Sequence, residues 1–277
     1  MGGAKRSRSA QAVAVERAVL TDLGAIDDPY AETMLDPTMG RILWAVRHLL
    51  PALAQRRSVT LAGLAARVRW HDGIVVDALD EGVDQVVIVG AGYDSRAWRL
   101  ARPGVRFFEL DHPLTQADKR ARAPGAGPTF VSADLAVESG GGALVAAGLD
   151  PARPSVFVLE GLTMYLTEDA VRRLLAGLAS CAAAGSRLST DFYPHQDGGS
   201  ARNRRQDLAQ RMARSGSGED LRLTIDRDGA RALVESEGWT VTDASGARLA
   251  ARALVAPAAG LPVDAVNDRK TLLAART

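Results

Sequence analysis

The chain has 277 residues, enough for one large α/β domain with an extension or for two small domains. Hydrophobic residues make up 47% of the chain and charged residues 24%, a balance typical of a soluble protein with a full core. The formal net charge of +1 leaves no excess of basic side chains for phosphate contacts, so we predict no nucleic-acid partner. The single cysteine, Cys181, excludes a disulfide framework and a cysteine-cluster metal site, and we predict no bound metal.

The N-terminal residues are basic and serine-rich, but no signal-peptide core follows them. The apolar segment 13–20 is interrupted by Glu16 and Arg17, and no stretch reaches transmembrane length. Arginine greatly outnumbers lysine, and alanine and glycine are abundant, which is typical of a bacterial genome of high GC content. We therefore predict a soluble, cytoplasmic bacterial protein with no membrane partner.

Residues 1–81 are predicted to form an N-terminal helical cap, because helix-type patterns follow one another there without a strand pattern between them. The segment 41–53 carries apolar residues at helical spacing, which indicates a buried stripe. These residues are Ile42, Leu43, Val46, Leu49 and Leu50. The segment 59–79 is a further candidate helix.

From Gly82 onward the pattern changes to short apolar strands that alternate with helices. Strands are predicted at 85–89, 105–110, 129–135, 155–161, 186–193, 239–244 and 270–276. A helix is predicted from the N-cap Thr167 to Gly185, with a buried stripe of Val171, Leu174, Leu175 and Leu178. The predicted fold is a doubly wound, Rossmann-like α/β core over residues 82–277 with a seven-stranded, mostly parallel sheet.

The segment from about 194 to 223 is polar, rich in glycine and arginine, and has no strand pattern. One interpretation is a lid-like insertion over a pocket, and the other is a solvated connection. Both remain open.

Two glycines follow the first predicted strand. Gly90 and Gly92 precede a helix-capable segment, so they can form a tight turn that lets a ligand approach backbone N–H groups. The third glycine of a dinucleotide fingerprint would fall at Ser95, which weakens a pyrophosphate interpretation. Glycines alone would fit many ligands.

Acidic residues at the ends of the next two predicted strands narrow the range of possible ligands. Asp111 lies 21 residues after Gly90 and can accept both hydroxyls of an adenosine ribose, with Glu109 as the competing candidate on the same strand face. Asp134 could meet the adenine amino group, and Leu135 could cover the ring. Helix capping is the alternative role for the aspartates, and their ordered placement favours a ligand site at the carboxyl edge of the sheet.

The tyrosines bear on which adenosine cofactor binds. A short-chain dehydrogenase would carry a tyrosine with a lysine four residues later. None of the four tyrosines, Tyr30, Tyr93, Tyr165 and Tyr193, has that partner. The adenosine interpretation therefore favours S-adenosylmethionine over a nicotinamide dinucleotide.

Several ordered blocks carry a family resemblance over about two thirds of the chain. They are DDPYAE (27–32), LAARVRW (64–70), QVVIVGAGYDSRAWRL (85–100), FFELDHPLTQADK (107–119), VSADL (131–135), VLEGLTMYL (158–166) and GSRLSTDF (185–192). With them the sequence resembles the leucine carboxyl methyltransferase family of class I methyltransferases, including its bacterial and polyketide O-methyltransferase branch. The region after Pro194 does not match clearly.

This resemblance implies S-adenosyl-L-methionine as cofactor and a role for each matching residue. Arg67 would pair with the cofactor's carboxylate, which suits a bidentate guanidinium, and Arg17 would be a second contact. Glu160 would lie near the amino group. The remaining implied contacts are the turn residues Gly90, Ala91 and Gly92, Asp111 at the ribose, and Asp134 with Leu135 at the adenine. Structural roles stay open for Arg17, for Arg67 as a surface arginine and for Glu160 as a cap of the turn at Gly161.

The predicted reaction is O-methylation of a small molecule, with a carboxylate of a polyketide-like secondary metabolite as the leading acceptor. A carboxylate is already ionised at neutral pH, whereas a hydroxyl acceptor, the alternative, would benefit from a general base. His195 is the candidate base, and a plain loop residue is the other interpretation. Tyr93, Tyr165 and Tyr193 could line the acceptor pocket or simply pack. A non-catalytic adenosine-binding module also remains open, and the chain is expected to be a monomer or homodimer.

Overall fold

The computed structural model describes residues 8–50, 56–194, 221–268 and 270–277. Its α-helices are α1 (Arg8–Asp22), α2 (Pro37–Leu49), α3 (Val59–Asp80), α4 (Arg96–Arg99), α5 (Pro113–Arg120), α6 (Gly141–Ala146), α7 (Glu168–Ala179), α8 (Arg227–Ser236) and α9 (Ala247–Leu254). Its strands are β1 (Gln85–Val89), β2 (Arg106–Asp111), β3 (Thr129–Ser132), β4 (Val156–Leu159), β5 (Arg187–Phe192), β6 (Thr240–Gly246) and β7 (Thr271–Arg276).

The strands form one seven-stranded sheet in the order β3-β2-β1-β4-β5-β7-β6. Strands β1 to β5 pair in parallel, and β7 runs antiparallel to both β5 and β6. Every residue of β1 and β4 is buried, which explains why these central strands are continuous apolar runs rather than alternating ones. The predicted doubly wound, Rossmann-like fold with a mostly parallel sheet is confirmed.

The strand order places a topological switch point between β1 and β4. The chain moves outward from β1 through β2 to β3 on one side, and from β4 to β5 on the other. Helical connections therefore diverge at this point and leave a crevice beyond the carboxyl ends of the two strands. The loops that follow β1 and β4 border this crevice.

The predicted ends of β3 and α7 are among the boundaries that differ from the structure. Strand β3 ends at Ser132, so Asp134 follows the strand instead of ending it. Helix α7 has the predicted N-cap, Thr167, and the predicted buried stripe, but it ends at Ala179 and not at Gly185. The chain leaves the helix through short turns and reaches Gly185, whose φ of +86° lies in the left-handed region, directly before β5.

The predicted stripe of α2 is wrong in part. Leu43 is buried at 1% exposure and Val46 is partly buried, but Ile42, Leu49 and Leu50 are 44%, 70% and 50% exposed. The helix packs against α1 with the face that carries Leu43. Since Met39, Leu43 and Val46 alone supply that face, the other apolar residues of the predicted stripe point away from the core.

The N-terminal helices share a core with the end of the chain. Helix α3 contacts β4, β5, β7 and α9, and one buried cluster joins residues of α1, α2, α3 and α9 to Leu272 of β7. The predicted division into a helical cap and a core at residues 81 and 82 stays a prediction.

The predicted lid-like insertion falls mostly on 195–220, which lie outside the described residues. In the part of the chain that the structure describes, no helix is both long and apolar enough to span a membrane.

Candidate active site

A cavity of about 400 Å³ lies at the switch point, beyond the carboxyl ends of β1, β2 and β4. Ten of the predicted site residues line it: Arg17, Arg67, Gly90, Ala91, Gly92, Tyr93, Asp111, Asp134, Glu160 and Tyr165. Leu135 and Tyr193 are not among its lining residues, and His195 lies outside the described residues. The structure thus brings most of the predicted set to one place.

The turn after β1 accepts only glycine at two positions. Gly90 and Gly92 have φ angles of +64° and +48°, in the left-handed region. A Cβ on Gly90 would lie 2.7 Å from a methyl carbon of Leu162, and one on Gly92 would lie 2.9 Å from Cβ of Ala10. The bare backbone of this turn therefore forms one wall of the cavity.

Asp111 is held by the backbone on both sides. One carboxylate oxygen accepts from the Gly92 N–H at 2.5 Å and the other from the His112 N–H at 2.6 Å. Burial raises the pKa of Asp111 above its usual value, and the two backbone hydrogen bonds oppose that rise. A carboxylate has about four acceptor positions, so this side chain can still accept hydroxyl groups from a ligand.

Glu109, the competing candidate for the ribose, is engaged elsewhere. Its Oε2 lies 2.7 Å from Nζ of Lys119, and both side chains are almost fully buried. It does not line the cavity. The structure therefore favours Asp111 at this position.

Asp134 and Leu135 are adjacent in sequence but lie in different surroundings, and only Asp134 lines the cavity. Asp134 is exposed at its edge, and its Oδ1 accepts from the Ala136 N–H at 3.0 Å, the kind of local cap that was the alternative to ligand binding. Its Oδ2 makes no hydrogen bond among the described residues. Leu135 is buried in the core beside the sheet.

Glu160 links two arginines at the end of β4. Its Oε1 accepts from Nε of Arg67 at 3.0 Å, and its Oε2 accepts from Nη2 of Arg96 at 2.6 Å. Burial alone would raise the pKa of Glu160, but Arg96 and Arg67 hold it well below its usual value. Within the described part of the chain, Nη1 and Nη2 of Arg67 donate no hydrogen bond, so the guanidinium keeps an edge for an anionic ligand.

Arg96 is not among the predicted site residues, but the structure makes it a centre of charge pairing. Its side chain is fully buried and contacts three carboxylates, those of Asp72, Asp94 and Glu160. The Asp72 and Glu160 contacts measure 2.7 and 2.6 Å. Two of these partners are distant in sequence, so no local motif signals the network.

Asp191, at the end of β5, was also missed. Its Oδ1 accepts from the Gly161 N–H at 2.5 Å, and its Oδ2 lies 3.3 Å from Nζ of Lys270 and 3.9 Å from Nη1 of Arg67. Burial would raise the pKa of Asp191, but Lys270, His71 and Arg67 hold it far below its usual value. An acidic residue at the end of a fifth parallel strand is the signal that could have identified it.

The three predicted pocket tyrosines differ in their surroundings. Tyr93 lines the cavity but is 3% exposed, and its hydroxyl donates to Asp118 at 2.6 Å. Tyr165 is half-buried in the cavity wall. The ring of Tyr193 lies 4.6 Å below Nζ of Lys270, beyond the lining residues.

The matched family is the leucine carboxyl methyltransferases, whose family model covers residues 9–179, more than half of the chain. This chain belongs to that family. All lining residues of the cavity fall inside the matched range, whereas Asp191 and Lys270 lie beyond it. Membership of the leucine carboxyl methyltransferase family confirms the prediction of a methyltransferase that uses S-adenosyl-L-methionine.

Two relatives come from Mycobacterium avium (strain 104), and both are provisionally named S-adenosyl-L-methionine-dependent methyltransferases. One is 35% identical over 206 residues, covering 67% of this chain and 66% of that protein. The other is 31% identical over 291 residues, covering 95% of this chain and 90% of that protein. This leucine carboxyl methyltransferase family member therefore spans slightly less than two thirds of the first relative and most of the second.

Solved structures with the same fold include a DUF574 family protein from Streptomyces avermitilis, with a TM-score of 0.59 at 17% identity over 98% of both chains. A provisionally named methyltransferase from Thermobifida fusca has a TM-score of 0.57 at 17% identity, covering 96% of this chain and 94% of that one. At such low identity the similarity shows the shared fold alone.

Proposed function

We propose that this protein transfers the methyl group of S-adenosyl-L-methionine to an oxygen of a small molecule, with a carboxylate of a polyketide-like secondary metabolite as the acceptor. The observation that supports the proposal is that one cavity at the switch point is lined by Arg67, Asp111, Glu160 and the glycine turn. Arg67 and Glu160 carry charges opposite to those of the cofactor's carboxylate and ammonium groups, and Asp111 brings acceptors for its ribose hydroxyls. We propose a cytoplasmic location from the composition.

The cavity residues fit the cofactor by their chemistry. Asp111 offers free acceptor positions for the ribose hydroxyls, and Asp134 offers Oδ2 to the adenine amino group. The guanidinium edge of Arg67, whose Nη1 and Nη2 donate no hydrogen bond among the described residues, suits a carboxylate. Glu160 stays ionised and can face an ammonium group. A side chain on Gly90 would meet Leu162, so only glycine fits where the turn lies against this cavity-lining side chain.

The cofactor, when bound, supplies an electrophilic methyl group on a sulfonium. The protein contributes position and exclusion of water: Arg67 and Glu160 orient the amino-acid end, and Asp111 fixes the ribose. Leu162, Met164 and Tyr165 also line the cavity. Since a carboxylate acceptor is ionised at neutral pH, the chain needs no general base for it.

Calorimetry tests the cofactor sites. Wild-type protein should bind S-adenosyl-L-methionine and S-adenosylhomocysteine, and Asp111→Ala should weaken both by about 10- to 100-fold, because a charged acceptor of two hydroxyls is lost. Asp243→Ala removes an exposed carboxylate far from the cavity and serves as the control. Failure of the wild type to bind either ligand would overturn the enzyme proposal in favour of another role on this fold.

The acceptor class is tested by comparing aromatic carboxylates with their phenol counterparts. We expect carboxylate methylation to be independent of pH above about 6, since the acid is already ionised there. Faster methylation of the phenols, with a rate that rises with pH and falls in a His195→Ala variant of unchanged cofactor affinity, would instead establish a hydroxyl acceptor.

A further inference from the structure

Ser95 occupies the N-cap position directly before helix α4, but its side chain makes no capping hydrogen bond. Instead, its hydroxyl donates to Oδ1 of Asp28 at 2.6 Å and accepts from Nη2 of Arg17 at 3.1 Å. The same Nη2 lies 2.7 Å from Oδ2 of Asp28. The three side chains therefore form a closed triangle, which we call the Arg17–Asp28–Ser95 triad.

The triad joins three separate parts of the chain at the cavity. Arg17 belongs to α1, Asp28 follows that helix, and Ser95 follows the glycine turn. All three are buried, at 4%, 2% and 0% exposure. Helix α1 also lies directly on the turn, where a Cβ on Gly92 would approach Ala10 to 2.9 Å. The triad thus links α1, through hydrogen bonds and an ion pair, to the turn that forms the cavity wall.

Arg17 keeps unused donors. Its Nε is buried and has no hydrogen-bond partner in the described part of the chain, and its Nη1 donates none there either. Burial would lower the pKa of Arg17, but Asp28 and Asp94 raise it above its usual value, so the guanidinium stays charged. Asp28 already balances the charge of this buried side chain, and the donor left over lines the cavity, where a ligand carboxylate can complete its hydrogen bonding.

We propose that Ser95 and Asp28 are positioning residues, which hold Arg17 so that its Nη1 meets the carboxylate of the bound cofactor. The inference rests on the proposed function, because it concerns the amino-acid end of S-adenosyl-L-methionine. Because the triad fixes Nη2 and Nε is buried, Nη1 is the donor left for the ligand. It also makes α1 a structural part of the cofactor site.

The first test uses Ser95→Ala, which removes one hydroxyl without changing charge. Calorimetry compares S-adenosylhomocysteine with 5′-methylthioadenosine, which lacks the amino-acid portion. We expect binding of S-adenosylhomocysteine to weaken about tenfold and that of 5′-methylthioadenosine to change less than about twofold. Ser180→Ala, an exposed serine at the end of α7, is the matched control, and Ser95→Thr should restore affinity. Equal loss for both ligands would show a merely structural role and overturn the proposal.

The second test uses Asp28→Asn, with the exposed neighbour Asp27→Asn as its control. Loss of the ion pair should loosen Arg17 and weaken S-adenosylhomocysteine selectively. Tighter binding would mean that Asp28 competes with the ligand for Arg17, which contradicts a positioning role.

A double-mutant cycle shows whether the effect passes through Arg17. In an Arg17→Met background, Ser95→Ala should cause no further loss of S-adenosylhomocysteine affinity, because its target is already absent. Additive losses would overturn the proposal. Wild-type protein that binds neither ligand would instead refute the proposed function, so the two failures are distinguishable.

Discussion

Glu109 and Lys119 form a buried ion pair beneath the cavity, with Nζ 2.7 Å from Oε2. Burial raises the pKa of Glu109 from 4.5 to about 7, and Lys119 only partly opposes this. The folded protein therefore holds this proton more tightly than the unfolded chain. Between pH 4.5 and about 7 the folded state binds more protons, so the free energy of unfolding should fall as pH rises through that window.

Glu109→Gln should flatten this part of the stability profile, because the amide does not titrate. Urea unfolding at pH 5 and pH 7.5 measures the effect, with the exposed Glu235→Gln as control. A profile in Glu109→Gln as steep as that of the wild type would show that the proton is bound elsewhere.

Arg96 compensates three buried or partly buried carboxylates, so its loss should be costly. Arg96→Met should lower the free energy of unfolding by about 3–5 kcal/mol, because Asp72, Asp94 and Glu160 lose a common partner. Arg102→Met breaks the exposed pair with Asp80 and should cost at most about 1 kcal/mol. Urea unfolding measures both. Similar losses in the two variants would contradict the central place of Arg96.

At the scale of single elements, the core strands were predictable and α2 was not. Strands β1 and β4 lie between two helical layers, so burial on both faces leaves a continuous apolar run in the sequence. In α2 the apolar residues nearly encircle the helix. Periodicity finds such residues but does not tell which of them a neighbouring helix covers, and here the structure buries Leu43 and leaves Leu49 exposed.

This difference gives a matched pair of variants in one helix. Leu43→Ala should reduce the free energy of unfolding by about 2–5 kcal/mol, because it opens a cavity in the core. Leu49→Ala, at 70% exposure, should change it by less than about 0.5 kcal/mol. Thermal and urea unfolding compare the two. Equal effects would mean that the face of α2 is assigned wrongly.

Some contacts of the site could also be predicted from the sequence and others could not. Asp111 and Glu160 follow predicted strands, so their meeting at one edge of the sheet could be anticipated from the order of elements. The contacts of Arg17 with Ser95 and of Arg96 with Glu160 could not, because they join residues 78 and 64 positions apart. Long-range side-chain pairing leaves no periodic trace in the sequence.

At the scale of the whole molecule, the N-terminal helices and the sheet share one buried cluster, which extends from α1 to Leu272. We therefore expect a single cooperative unfolding transition. Circular dichroism and tryptophan fluorescence should give coincident urea curves, with Trp70 in α3 and Trp239 beside β6 as reporters. Two separate transitions would instead indicate an independent cap over residues 1–81.

We expect the cavity at the switch point to bind S-adenosyl-L-methionine through this set of side chains. A crystal structure with S-adenosylhomocysteine tests this expectation. We expect the ribose hydroxyls on Asp111, the amino group near Glu160 and the carboxylate on Arg67, with the glycine turn alongside. A ligand bound elsewhere on the protein, or in this cavity with its adenine at Arg67 and its amino acid at Asp134, would contradict the account.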